Sequence, residues 1–317
     1  MPTVKTTIGI AAAAAVVAPA CVRVLIKHAN GTIDVTETEF RSTRVPPDLD
    51  GYRIAHVSDL HDASFGRGNE KLNDAIDKAA PDMIAITGDL IHDETIKGAL
   101  SMARHAASVA RTVYVPGNHE SYSARYEELI NRLSDAGVSV LRDSSLSIWA
   151  DELVHGSSGI LPGDTATADM VVMGLDDYAF LPWDERRDPE ASVRRRLAEI
   201  QAKADLDRVA QGDSKPFRLL LAHRPELFVS YVDGGADLVL AGHAHGGQWR
   251  LPVIGGLYAP SQGILPKYDA GTHVRGGSGM VVSRGLGNSG FPLRINNHPE
   301  LVVVTLRHQD SSGKRGT

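Results

Sequence analysis

Five short polar stretches stand directly behind apolar, β-prone runs, and they constrain the fold more than any other feature of the chain. They are S-D-L-H (58–61), G-D-L (88–90), G-N-H-E (117–120), A-H-R-P (222–225) and G-H-A-H-G (242–246). The runs before them cover Arg53–Val57, 83–86, 112–115, 219–221 and Leu238–Ala241. Polar groups at the carboxyl ends of buried strands are where open α/β sheets place their chemistry. One such turn is ordinary, because Gly, Asp and Asn are turn residues in their own right. Five in series, each at a strand end, predict a site.

The residue types point to cations. Asp and His donate oxygen and nitrogen of intermediate hardness, suited to zinc, manganese, iron and similar ions. Asp59 and His61, two residues apart on a chain leaving a strand, can turn to one ion, and His243 and His245 form the same kind of pair. Asp89 offers two oxygens and can bridge two cations. Asn118 adds a neutral oxygen where another carboxylate would bring too much charge. His223 taken alone reads as an ordinary satisfied histidine. Cys21 is the single cysteine, so a thiolate zinc site is excluded.

The order Asp-x-His, Gly-Asp, Gly-Asn-His-Glu, His, Gly-His-x-His resembles that of the calcineurin-like metallophosphoesterases. G-H-A-H-G-G-Q-W-R-L-P (242–252) and V-S-R-G-L-G (282–287) are similar to their small bacterial single-domain phosphodiesterase branch, some members of which are secreted or membrane-associated. The likeness covers roughly residues 41–307. It implies an α/β fold with a two-sheet β sandwich flanked by helices, a four-layer αββα body. It also implies two metal ions (Mn, Fe, Zn or similar): one held by Asp59, His61, Asp89 and His245, the other by Asp89, Asn118, His223 and His243. His119 would face the substrate phosphate and stabilise the transition state or protonate the leaving alkoxide. A water on such a metal falls in pKa from about 15.7 to about 7, which makes hydroxide available to attack a phosphodiester at neutral pH. The expected substrates are phosphodiesters of small molecules or lipids, with phosphomonoesters as the lesser case.

Two other classes stand against this reading. A metallo-β-lactamase-like hydrolase needs His-x-His-x-Asp-His after an early strand, and no such string occurs. A scaffold that keeps the fold but has lost activity would show broken ligand positions, and here every expected position is filled. The net charge of -6 argues against a nucleic-acid polymer bound through a broad basic surface. Nothing predicts a protein partner.

The 317 residues are expected to divide into an apolar N-terminal segment (1–31), one catalytic domain (32–307) and a polar tail (308–317). Residues 8–22 are almost wholly apolar and alanine-rich behind Lys5, a length that fits a signal h-region better than the roughly 20 residues of a membrane span. The expectation is an export signal or short anchor, with the protein in the cell envelope. A helix packed on the body, and a cytoplasmic protein, remain the alternatives.

Periodicity predicts an imperfect strand over 32–41 and helices over 69–80, 124–136 and 189–211, the last burying Val193, Leu197, Ile200 and Ala204. Later strands are expected at 146–149, 170–173, 280–283 and 301–306, and an exposed loop or hairpin at 151–169. Residues 246–291, rich in Gly and Pro with Trp249, Tyr258, Tyr268 and Phe291, read as loops over the mouth. The apolar loop 180–183 is a second candidate. Arg250, Arg284 and Arg294 are candidate phosphate contacts. Of the remaining histidines, His92 is placed at the site mouth and His56 away from the metals. His28, His105, His155, His273, His298 and His308 are read as ordinary polar side chains.

Overall fold

The structure, a computed structural model, describes residues 30–92, 95–148, 169–206 and 216–310. In chain order the strands are β1 (Asp34–Ser42), β2 (Arg53–Val57), β3 (Met83–Thr87), β4 (Arg111–Val115), β5 (Ser139–Val140), β6 (Ser144–Ile148), β7 (Met170–Gly174), β8 (Phe217–Leu221) and β9 (Leu238–Ala241). Four two-residue strands follow, β10 (Arg250–Leu251), β11 (Gly255–Gly256), β12 (Tyr258–Ala259) and β13 (Gly263–Ile264), then β14 (Gly271–Arg275), β15 (Ser278–Val282) and β16 (Glu300–His308). The helices are α1 (Glu70–Ala79), α2 (Lys97–Val109), α3 (Tyr126–Asp135), α4 (Pro189–Leu206) and α5 (Phe228–Asp233).

Two six-stranded sheets, β1-β16-β2-β3-β4-β5 and β14-β15-β9-β8-β7-β6, pack face to face. Alternation along each strand divides the side chains among three cores. Ile54, Met83, Val113 and Val115 from the first sheet meet Val172, Leu219, Leu238 and Leu240 from the second. On the outer face of the first sheet, Val57, Ile84 and Tyr114 pack against Leu72 and Ile76 of α1, Met102 and Ala103 of α2 and Leu129 of α3. On the outer face of the second, Val171, Leu220 and Val239 pack against Val193, Leu197 and Ile200 of α4 and Phe228 of α5. Strands covered on both faces read as continuous apolar runs, which is why the sequence marks them so clearly. The result is the four-layer αββα body.

β2 to β5 run parallel, as do β7, β8, β9 and β15. This parallel order brings the carboxyl ends of β2, β3, β4, β8 and β9 together. β16 closes the first sheet, antiparallel to β2 and parallel to β1, so the first and last strands pair over Asp34 to Ser42. β1 is an edge strand in which only Phe40 and Ser42 are buried, and this explains its broken alternation. α1 stops at Ala79, where Ala80 turns into the left-handed region ahead of Pro81. α4 buries Val193, Leu197, Ile200 and Ala204 as the pattern requires. The expected loop at 151–168, the end of the expected helix at 207–211, Trp149, His28 and His155 lie outside the described residues. The hairpin partner β14 was not legible as a strand.

Candidate metal centre

Each polar stretch emerges where a parallel strand ends. Asp59 and His61 follow β2, Asp89 follows β3, Asn118 and His119 follow β4, His223 follows β8, and His243 and His245 follow β9. Both sheets therefore supply the site. The loops meet closely enough that the flanking glycines are a steric requirement. A Cβ on Gly117 would lie 2.2 Å from Asp89 Oδ1, and one on Gly242 would lie 1.9 Å from Ser58 Oγ. Any larger residue would push a carboxylate-bearing loop out of place.

The turns are tight enough to strain the backbone. Asp59, His61, Asp89, His243 and His245 all have φ between 43° and 65°, where non-glycine residues are uncommon. Each such residue costs on the order of 1 kcal/mol. Five of the seven expected ligands share this conformation, so their side chains are aimed at a cost in stability.

Two fully buried trios of donor atoms result, Asp59/His61/His245 and Asp89/His223/His243, beside a more exposed third, His61/His92/His119. His61 Nε2 and His245 Nε2 are 3.2 Å apart, and so are His223 Nε2 and His243 Nδ1. Asp89 Oδ2 lies between the trios, 3.5 Å from His61 Nε2 and 3.1 Å from His223 Nε2. Asn118 Oδ1 is buried without a protein partner. Converging imidazole nitrogens, two buried carboxylates and an orphaned amide oxygen form a donor set that fits cations and that no protein group completes.

Protonation supports the same fit. Burial pushes the His61 and His245 rings down to about 3 and holds His243 well below its ordinary value, so these rings are neutral with lone pairs available. His223 goes the other way. Burial opposes its charge, yet the adjacent Asp89 carboxylate raises it to about 10. Burial pushes Asp89 up in turn, but His223 and the neighbouring histidines hold it well below the usual carboxylate range. A cation at this point would take the place of the His223 proton. His223 Nδ1 donates to the Thr87 carbonyl at 2.7 Å, which fixes the tautomer and presents Nε2 to Asp89.

His119 is half-buried beside the trios. Its ring meets His61 edge-on at 4.7 Å, and its backbone N–H donates to Asp89 Oδ1 at 2.9 Å. His92 is exposed, 4.8 Å from the His119 ring and 5.8 Å from His61, at the mouth as its position after Asp89 suggested.

The calcineurin-like phosphoesterase family model matches residues 52–247, a span that holds all seven expected ligands and His119. The chain belongs to this family. A relative from Bacillus subtilis, the uncharacterized metallophosphoesterase YkuE, is 27% identical over 285 residues, 87% of this chain and 86% of its own length. A Danio rerio relative, a transmembrane protein with metallophosphoesterase domain, is 24% identical over 282 residues, 86% of this chain and 57% of its own length. The Escherichia coli phosphodiesterase YaeI is 39% identical over a shorter stretch of 89 residues, 28% of this chain and 32% of its own length.

Several residues that support the site become visible only in three dimensions. Glu120 is buried, and its carboxylate accepts the backbone N–H groups of Asp89 (2.9 Å), Leu90 (2.6 Å) and Gly117 (2.9 Å), locking the β3 and β4 loops together. Its place in G-N-H-E was the only signal. Arg224, next to His223, sends Nε to Asp177 Oδ2 at 2.6 Å and Nη1 to Ser261 Oγ at 2.8 Å. Nη1 also lies 3.2 Å from His243 Nε2, and the guanidinium sits over Tyr178. A buried ion pair thus backs the second trio.

The three arginines named as candidate phosphate contacts each have a partner within the protein. Arg250 pairs with Asp269, Arg284 pairs with Asp34 and Glu300, and Arg294 is buried against the Arg284 carbonyl and Asn288. They brace the loops around the site. His56 is fully buried on the inter-sheet face of β2 with Nε2 on Thr87 Oγ1 at 2.8 Å, and burial pushes its pKa down to about 3. His105 bonds Asp77 between α1 and α2, while His273 and His308 contact the backbone carbonyls of Ala270 and Val45 and His298 contacts Asp34.

Proposed function

We propose that the protein is a dinuclear-metal-dependent phosphoric ester hydrolase acting on phosphodiesters of small molecules or lipids. The observation that carries this reading is Asp89, whose Oδ2 stands within 3.5 Å of one imidazole nitrogen from each trio. Asp59, His61 and His245 would hold one cation and Asn118, His223 and His243 the other, with Asp89 shared. Bound there, the cations would supply Lewis-acid polarisation of the phosphoryl group and acidify water.

The chain's own groups do the rest. His119, whose backbone N–H bonds Asp89 and whose ring meets His61 edge-on, would stabilise the transition state or donate a proton to the departing alkoxide oxygen. The reading requires no covalent enzyme intermediate. The intact ligand set disfavours the alternative of a phosphoesterase fold kept only for binding. Preference for diesters draws support from the name of YaeI, whose matched stretch is short.

The test is hydrolysis of bis(p-nitrophenyl) phosphate and the matching monoester by the full-length protein, after chelation and then with added Mn or Zn. Metal-restored diester turnover supports the reading, and absence of turnover in a protein that carries two metals supports the binding alternative. His119→Ala is expected to lower kcat by about 10²- to 10⁴-fold with metal content unchanged.

We further propose that residues 1–31 are an export signal or anchor for a catalytic domain at 32–307. The support is the apolar stretch 8–22 and the description of the Danio rerio relative as a transmembrane protein. Among the described residues no helix is long and apolar enough to cross a membrane. Cell fractionation with sequencing of the mature N-terminus decides this: a soluble cytosolic protein that keeps Met1 would exclude it.

A further inference from the structure

Thirteen large apolar side chains are exposed among the described residues, and nine of them fall between 251 and 295: Val274 on β14, and Leu251, Val253, Ile254, Tyr258, Ile264, Leu265, Phe291 and Ile295 on the segments around the short hairpins. Backbone hydrogen bonds join these segments side by side. Arg250 N–H donates to the Ile295 carbonyl, Leu257 N–H to the Trp249 carbonyl and Leu265 N–H to the Leu257 carbonyl, each at 2.9 Å. Trp249 meets Phe291 edge-on at 5.3 Å. The segments that carry the exposed residues therefore lie side by side. Soluble proteins rarely show an apolar patch of this kind without an occupant.

The relief of the patch narrows what that occupant is. Its most prominent side chains are Val253, 107% exposed in the β10–β11 turn, and Ile264, 81% exposed at the end of β13. Val253 and Leu265 also have φ of 72° and 56°, which is unfavourable for a β-branched residue and uncommon for leucine, and neither is compensated by burial. A protein partner is recognised by shape complementarity around a central pocket. Apolar side chains this exposed suit a fluid apolar phase, and the same segments carry exposed, amphipathic Tyr258, paired with Ile264, and Lys267.

The path of the chain points the same way. Asn30, where the described residues begin, donates from Nδ2 to the Pro292 carbonyl at 2.7 Å, next to Phe291 on this surface. The apolar sequence 8–22 ends eight residues earlier, a reach of at most about 28 Å. The patch also adjoins the metal centre, because Ser261, at the turn between β12 and β13, bonds Arg224 behind His243.

We infer that the β10–β11 and β12–β13 hairpins form a bilayer-docking surface. Val253, Ile254, Ile264 and Leu265 enter the interfacial region and hold the body at a membrane with this side of the metal centre toward the lipid. The inference is independent of the catalytic reading.

Nitroxide labels on the full-length chain test it, using Val253→Cys and Ile264→Cys in a Cys21→Ser background, with Val35→Cys and Val109→Cys as controls on β1 and α2. The probe is phosphatidylcholine vesicles with and without phosphatidylglycerol. The labels at 253 and 264 are expected to gain accessibility to oxygen and lose it to an aqueous nickel complex on adding vesicles, while the controls do not change. Val253→Asp/Ile264→Asp/Leu265→Asp is expected to lower the vesicle-bound fraction about tenfold with an unchanged melting temperature.

Three results would overturn the inference. The labels could stay aqueous on vesicle-bound protein, which assigns binding to residues 1–29 alone. They could be shielded already without lipid, which assigns the patch to a second copy or to this chain's own N-terminal segment. Or the protein could fail to bind vesicles.

Discussion

The two trios of the metal centre are built alike but supported differently. His223 is oriented through Nδ1 by the Thr87 carbonyl, and His243 is backed by Arg224, itself paired with Asp177. In the other trio His61 Nδ1 is buried without a partner. Ligands with outer partners are held in one tautomer and one orientation, which raises metal affinity by about 10- to 100-fold. The second trio is therefore preorganised by the protein, while the first relies more on strained turns and on the cation. Asp89 is the element common to both.

The largest expected effect comes from removing that common element. Asp89→Asn is expected to abolish metal-restored diester turnover, a loss of at least about 10³-fold. A variant that lost only the cation of one trio and kept turnover would separate the trios and break the comparison. Next is Glu120→Ala, which leaves the amides of Asp89, Leu90 and Gly117 buried without an acceptor. Urea unfolding should report a loss of about 3 kcal/mol, since a stranded buried donor costs about 1–3 kcal/mol.

Arg224 sharpens the difference between the trios. Arg224→Ala strands the Asp177 carboxylate, and breaking a buried pair costs about 3–5 kcal/mol of stability. Arg224→Lys keeps the charge but loses the fork that reaches Asp177 and Ser261 together. In that variant, stepwise metal titration should weaken one of two binding events by about 10-fold and spare the other. Equal weakening of both would mean that the trios are not supported separately.

A pH-dependent effect concerns His56, which precedes the first trio on β2 but faces the inter-sheet core. Its folded pKa, pushed down to about 3 by burial, lies below the ordinary 6.5. Its contribution to stability is thus complete above pH 6.5 and is lost as pH falls from 6.5 toward 3, by about 1.4 kcal/mol per unit. Chelated His56→Gln should show a shallower loss of stability over that window than the chelated parent.

The two halves of the site were also unequally legible. Strands β2, β3, β8 and β9 announced themselves because burial on both faces leaves continuous apolar runs, and the ligands stood out because they followed those runs directly. Glu120 and Arg224 could not be read this way. Their partners lie about 30 residues away for Glu120 and 47 for the Arg224–Asp177 pair, and only packing brings them together. Arg250, Arg284 and Arg294 could be named only as candidates for the same reason, since a lone arginine in a loop looks the same whether it awaits a phosphate or braces a turn. The left-handed backbone of Asp59, His61, Asp89, His243 and His245 leaves its trace only in the neighbouring glycines, which make room for it. The pairing of β1 with β16 across the whole chain had no local signal at all.

Metal stoichiometry tests the central claim most directly. Full-length wild type and Asp89→Asn would be chelated, reloaded with Mn or Zn, freed of excess ion and measured by elemental analysis. Two ions per wild-type chain and one or none in Asp89→Asn is the result expected if the two trios share this carboxylate. A wild type that takes up a single ion, or an Asp89→Asn variant that still holds two, would contradict it.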